Sequence, residues 1–71
     1  MNQAILFNED YEYNHQMQAW KFTGMLNGQL LTIYIKGNED EINESLKFHW
    51  EEQVEDWLED NEPDEHNVIY L

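Results

Sequence analysis

The stretch from Glu39 to Glu65 holds thirteen carboxylates and one basic side chain, Lys47. Carboxylates at this density could do three kinds of chemistry. They could work as general acid and base, hold a cation, or face a cationic partner. Acid–base work needs a cleft whose desolvation drives two pKa values apart. Six of the acids fall within EEQVEDWLED (51–60), where a helical period turns them outward to water. Catalysis by these acids is not expected. Calcium binding of the EF-hand type needs a glycine at the sixth loop position and a glutamate at the twelfth. A loop counted from Asp60 places Glu65 and Leu71 there, so the pattern fails.

Other chemistry is weaker still. His15, His49 and His66 lie in three separate segments. His49 and Glu52 are one helical turn apart, but a transition-metal site needs three or four converging ligands. Ser45 is the one serine and cysteine is absent, so no nucleophilic triad suggests itself. Gly24, Gly28 and Gly37 are turn or strand glycines and form no phosphate loop. A non-enzymatic protein without metal or cofactor is the expectation.

The third option is a surface. The formal charge is −13, from sixteen acids against three lysines and no arginine. Such a chain repels nucleic acid and anionic lipid at long range, which argues against direct binding to either. A basic protein is the favoured partner. Carboxylates four residues apart on a helix recur about every 6 Å along its axis. Glu51, Glu55 and Glu59 form one such row, and Glu52, Asp56 and Asp60 a second. DNA carries a phosphate about every 3.4 Å along each strand. A rigid helix could therefore hold its acids against a groove built for nucleic acid and act as a competitive plug. Small acidic inhibitors of bacterial defence enzymes share this size and charge, which suggests a phage or bacterial anti-defence role. The expected partner-binding residues are Glu44, Glu51, Glu52, Glu55, Asp56 and Glu59, with Asp60, Glu62, Asp64 and Glu65 extending the patch. The second reading is a soluble cytosolic domain, dimeric in one version, whose acids serve solubility alone.

Elements must place these acids. Seventy-one residues make one domain, 1–71. Aromatics are 14% of the chain, which separates it from disordered acidic segments. No apolar run nears the roughly 20 residues of a membrane span. MNQAILFNED has no basic region and does not read as a signal peptide. A cytoplasmic, mature chain is the expectation.

Asn27-Gly28 is the dipeptide of a type I′ hairpin turn. A two-residue loop there pairs Leu26 with Gln29, Gly24 with Leu31, Phe22 with Ile33 and Trp20 with Ile35 on one apolar face. Met25–Leu30, Thr23–Thr32, Lys21–Tyr34 and Ala19–Lys36 fall on the other. Strands are expected at about 18–25 and 29–36. QAILFN (3–8) reads as a further strand, and residues 9–17 as a connection in which Tyr11 and Tyr13 form a turn or edge segment. After Gly37 the period changes. Asn38 is a candidate N-cap with three acids behind it. Ile42, Leu46, Trp50, Val54, Trp57 and Leu58 then form one helical stripe. Phe48 lies off it. One helix is expected over about 39–60, with any break near Lys47. Pro63 marks its stop, and NVIYL (67–71) closes the chain as a strand.

The aromatics Trp20, Trp50, Trp57, Phe7 and Phe22 are expected in the core. Tyr11, Tyr13, Tyr34 or Phe48, if left exposed beside the acids, would make an aromatic anchor within a charged rim. The fold expected is α+β: a small antiparallel sheet covered by one amphipathic helix.

The opening MNQAILF, the FTG at 22–24, the NG before an alternating strand, and the late WEEQVEDWLE resemble the bacterial family named domain of unknown function 1488. The resemblance covers most of the chain. It implies an opening strand, a hairpin, helical structure and a short closing strand, and it brings no established activity or catalytic residue.

Overall fold

Asn27 and Gly28 have φ angles of 53° and 80°, the paired positive values of a type I′ turn. That turn fixes the register of the two long strands, β3 (Ala19–Leu26) and β4 (Gln29–Lys36). Every pair from Leu26–Gln29 to Ala19–Lys36 stands as the alternation predicts. Before them come β1 (Leu6–Phe7) and β2 (Glu12–Asn14). The computed structural model describes residues 5–71, so Gln3 and Ala4 of the expected first strand lie outside the described residues.

Both short strands pair antiparallel with the same edge of β3. They form one interrupted edge. In the gap, the Asn8 N–H donates to the Thr23 carbonyl at 3.0 Å. The Thr23 N–H has no strand carbonyl beside it. It donates instead to the Asp10 carboxylate at 2.8 Å, and the Thr23 hydroxyl donates to the other Asp10 oxygen at 2.6 Å. A side chain thus completes the ladder where the backbone turns away, which satisfies an otherwise orphaned donor. The connection over 9–17 therefore contains a paired strand, and Tyr13 within it is half-buried.

The helical region divides sooner than its pattern suggests. A short 3-10 turn covers Glu39–Glu41, and α1 runs over Glu44–Asp60. The break falls at Ile42 and Asn43 rather than near Lys47. Its cause is local: the Asn43 side chain accepts from the Leu46 N–H at 2.9 Å and caps α1. An asparagine that offers its side chain to the backbone favours a cap over a helix interior. Asn38 opens the 3-10 turn, and the Glu41 carboxylate accepts from its N–H at 3.3 Å.

The closing strand, β5 (Val68–Tyr70), corrects a second expectation. It pairs with β4 in parallel, Thr32 with Val68 and Tyr34 with Tyr70. The sheet is therefore mixed, not wholly antiparallel. The reason is topological: α1 is a crossover that returns the chain to the start of β4, and a strand reached that way runs in the same direction. The Asp64 carboxylate sets up the return by accepting from the His66 and Val68 N–H groups at 2.9 and 3.0 Å. The strand path is β1-β3-β4-β5, with β2 beside β1 on β3.

The core lies between α1 and one sheet face. Trp20, Phe22, Leu31, Ile33, Ile35 and Ile69 are buried from the sheet, and Trp50, Val54 and Leu58 from the helix. Leu46, Trp57 and Ile42 pack at its margin. Phe22 is fully buried, with the Tyr11 ring at 4.7 Å and the Trp50 ring stacked at 6.4 Å. The buried Trp20 indole donates to the Asn38 carbonyl at 3.0 Å. The opposite sheet face carries Leu6, Lys21, Met25, Leu30, Thr32, Tyr34, Lys36, Val68 and Tyr70. Leu6, Leu30, Lys36 and Tyr70 are exposed on it, while Ala19 and Thr23 on the same face are buried, with Asp10 bonded to Thr23. The fold is α+β, with five strands and one α-helix among the described residues.

Candidate functional site

Because Trp50, Val54 and Leu58 point inward, the helical period turns the acids outward. Glu44, Glu52, Glu55, Asp56, Glu59 and Asp60 are all exposed. The row Glu52, Asp56 and Asp60 is intact on the outer surface. The row Glu51, Glu55 and Glu59 differs at its first member. Glu51 lies at the margin of the core, half-buried, and accepts from the Tyr11 hydroxyl at 2.8 Å. Burial, then the bond to Glu51 and its charge, push the Tyr11 phenol well above its usual value. Tyr11 therefore stays protonated at neutral pH and ties the β1–β2 connection to α1.

The remaining candidates divide as well. Glu44 meets Lys47 at 3.3 Å, one turn along the helix. The Lys47 ammonium also stands 5.1 Å from the Tyr11 ring centroid. Glu62 and Glu65 are exposed beyond the helix, where Glu65 lies 3.6 Å from the His66 imidazole. Asp64 is committed to the turn before β5. The helix thus gathers six exposed acids, of which Glu44 meets Lys47, while Glu51 and Asp64 also hold the fold.

One apolar side chain interrupts the acidic surface. Phe48 is 63% exposed. It stands four residues from both Glu44 and Glu52 and seven from Glu55, so it shares their side of the helix. Its place off the apolar stripe was the only sequence signal for this. Of the other aromatics that could have flanked the acids, Tyr11 and Tyr13 are packed against the core, and Tyr34 stands on the opposite sheet face, stacked on Tyr70.

The helix surface is shallow. His49, Glu52, Gln53 and Asp56 line an open hollow of about 400 Å³. No three metal-ligating side chains converge among the described residues. A second hollow, of about 300 Å³, lies at the edge of the open sheet face between His15, Lys21 and Tyr34. No helix among the described residues is long and apolar enough to cross a membrane.

Asp10 is a residue that sequence reasoning missed. Slight burial works against its charge, but the Thr23 hydroxyl and backbone donors and the nearby Lys21 outweigh it and hold its carboxyl below the usual range. No local pattern marks it, because its partner lies thirteen residues away.

The fold and its surfaces can now be compared with known proteins. A crystal structure of a protein of unknown function from the family of domain of unknown function 1488, from Shewanella loihica PV-4, is similar over 100% of this chain and 94% of its own. The TM-score is 0.71 and the sequences are 28% identical. The family resemblance carried by the opening segment, the hairpin and WEEQVEDWLE is thus matched by a solved structure of that same family. No family model and no curated protein matches the chain.

Proposed function

We propose that this domain is a non-enzymatic protein-binding module whose α1 surface engages a basic partner. The observation that carries the reading is Phe48, an aromatic ring held in water among carboxylates. Leaving a phenylalanine exposed forgoes about 1.5–3 kcal/mol of burial. A solubility surface has no use for it. An interface does: an aromatic anchor enters a pocket, and a charged rim selects and steers the partner. The partner's complementary surface would carry lysine or arginine around an apolar recess.

The narrower form is mimicry of nucleic acid. The row Glu52, Asp56 and Asp60 supports it, since its carboxylates repeat at the helical pitch on the free surface. The partner would then be a nucleic-acid-binding protein, and the domain an inhibitor of it, as a phage anti-defence protein is. Phe48 favours a basic protein surface with an apolar recess over a groove that reads only phosphates.

The test is affinity capture from a bacterial lysate at low salt, followed by binding measurements with the purified partner. Phe48→Ala should weaken binding about thirtyfold, as loss of an anchor does. The triple change Glu52→Gln, Asp56→Asn, Asp60→Asn should weaken it and flatten its salt dependence. A captured protein that binds both variants like the parent sinks the reading. If the partner binds DNA or RNA, that ligand should compete with the domain. A partner that holds both at once removes the mimicry form and leaves the module.

A further inference from the structure

We propose that the open face of the sheet is a self-association surface and that its occupant is the same face of a second copy. The first argument is charge. On a chain of net charge −13, the residues that β3, β4 and β5 direct to this face include no acid and two of the three lysines, Lys21 and Lys36. At the β1–β2 edge, two acids are already engaged: Asp10 is bonded to Thr23 and Glu12 pairs with Lys21. Two copies meeting here keep their acidic helices on opposite outer sides. Meeting through α1 would set carboxylates against carboxylates.

The second argument is self-complementarity, which a two-fold interface requires. One row crosses the face as Glu12, Lys21, Tyr34, Tyr70. Reversed by a two-fold axis between β3 and β4, the row sets Lys21 over the partner's Tyr34 ring and Glu12 toward the partner's Tyr70 hydroxyl. An ammonium over an aromatic face and a carboxylate accepting from a phenol are both favourable. The same reversal sets Met25 against the partner's Leu30. Leu30 and Tyr70 are 51% and 61% exposed, and Tyr34 and Tyr70 already stack at 5.5 Å and 9°. That stack is a flat, preordered platform. A body of 34 × 25 × 20 Å presents a broad side on the scale of the roughly 800 Å² that each partner gives to a standard interface. Stacked sheets meet in this way in β-sandwiches.

The test is analytical ultracentrifugation of the intact chain across protein concentration and salt. A dimer is expected, and it should tighten several-fold from low to high salt, because screening removes repulsion between two acidic bodies. Leu30→Glu and Tyr70→Glu should each weaken it at least about tenfold, a loss of roughly 1.4 kcal/mol, with far-UV circular dichroism unchanged because both positions are exposed. Phe48→Glu should leave the dimer intact. A monomer up to millimolar concentration at high salt overturns the proposal. So does a dimer that survives both sheet-face variants, one that Phe48→Glu dissolves, or one that salt weakens.

Discussion

The two faces of the β3–β4 hairpin are built from alternate residues of the same strands, yet only one is closed. The closed face carries Trp20, Phe22, Leu31, Ile33 and Ile35, all buried. The open face carries Met25, Leu30 and Tyr34, and with them Lys21, Lys36, Thr23 and Thr32. Apolar content alone does not separate them. A helix laid on the open face would have to desolvate the Lys21 and Lys36 ammonium groups, which is costly unless each is paired. On the closed face every large side chain meets another, and the Trp50 ring of α1 lies flat on Phe22 at 12°. Continuity of apolar contact, more than the number of apolar residues, decides which face receives the helix.

The sharpest way to test that contrast is to remove one side chain from each face. Phe22→Ala should cost about 3–5 kcal/mol, as large-to-small changes in cores do. A domain of this size has a total stability of roughly 4–10 kcal/mol, so the variant should lose from about a third to all of it. Leu30→Ala should change the monomer's stability by about 0.5 kcal/mol or less. Urea denaturation at a fixed low protein concentration measures both. Similar losses at the two positions would mean that the open face is packed in solution.

A smaller effect probes how tightly the closed face meets its edge. Gly24 lies on β3 opposite Phe7. A Cβ there would stand 3.0 Å from two Ile5 side-chain carbons and 3.2 Å from the Leu6 carbonyl oxygen. Ile5 can give a little, but the carbonyl is backbone and cannot. Gly24→Ala should therefore destabilise by about 1–3 kcal/mol, the usual range for overpacking. Hydrogen exchange should show the β1 pairing loosening first. An unchanged exchange pattern would place the strain elsewhere.

The same contrast explains what could be read from the chain alone. The hairpin was legible residue by residue, because Asn27-Gly28 sets the turn and a period of two sets the faces. The inward stripe of α1 was legible for the same kind of reason, since Trp50, Val54 and Leu58 keep a helical spacing. The helix start was not, because Asn38 reads as the cap while Asn43 is the residue that caps α1, a choice made by the local fold. The parallel run of β5 was missed where the crossover through α1 should have signalled it. The acids of the candidate site were visible as a group. Their division was hidden: Glu51 is claimed by Tyr11 from a distant segment, while Asp64 is claimed by the local turn before β5. Asp10 was hidden most fully, since its role depends on a gap in an edge strand.

Asp10 supplies the finest test, and the sign of its pH dependence follows from its bonds. Its carboxylate takes the place of a strand carbonyl at Thr23, and those donors lower its pKa. A carboxyl whose folded pKa is lowered stabilises the fold above its unfolded pKa, about 3.9. That contribution is lost as pH falls through the lower, folded value. Asp10→Asn keeps the shape and one acceptor but removes the charge. It should cost about 1 kcal/mol at neutral pH, the scale of a hydrogen bond to a charged group on a partly exposed site. The gap between parent and variant should hold from neutral pH down to about pH 4 and close below it. A gap that persists at pH 2 would mean that the second acceptor oxygen matters and the charge does not. The link between the broken edge and Thr23 would then rest on geometry alone.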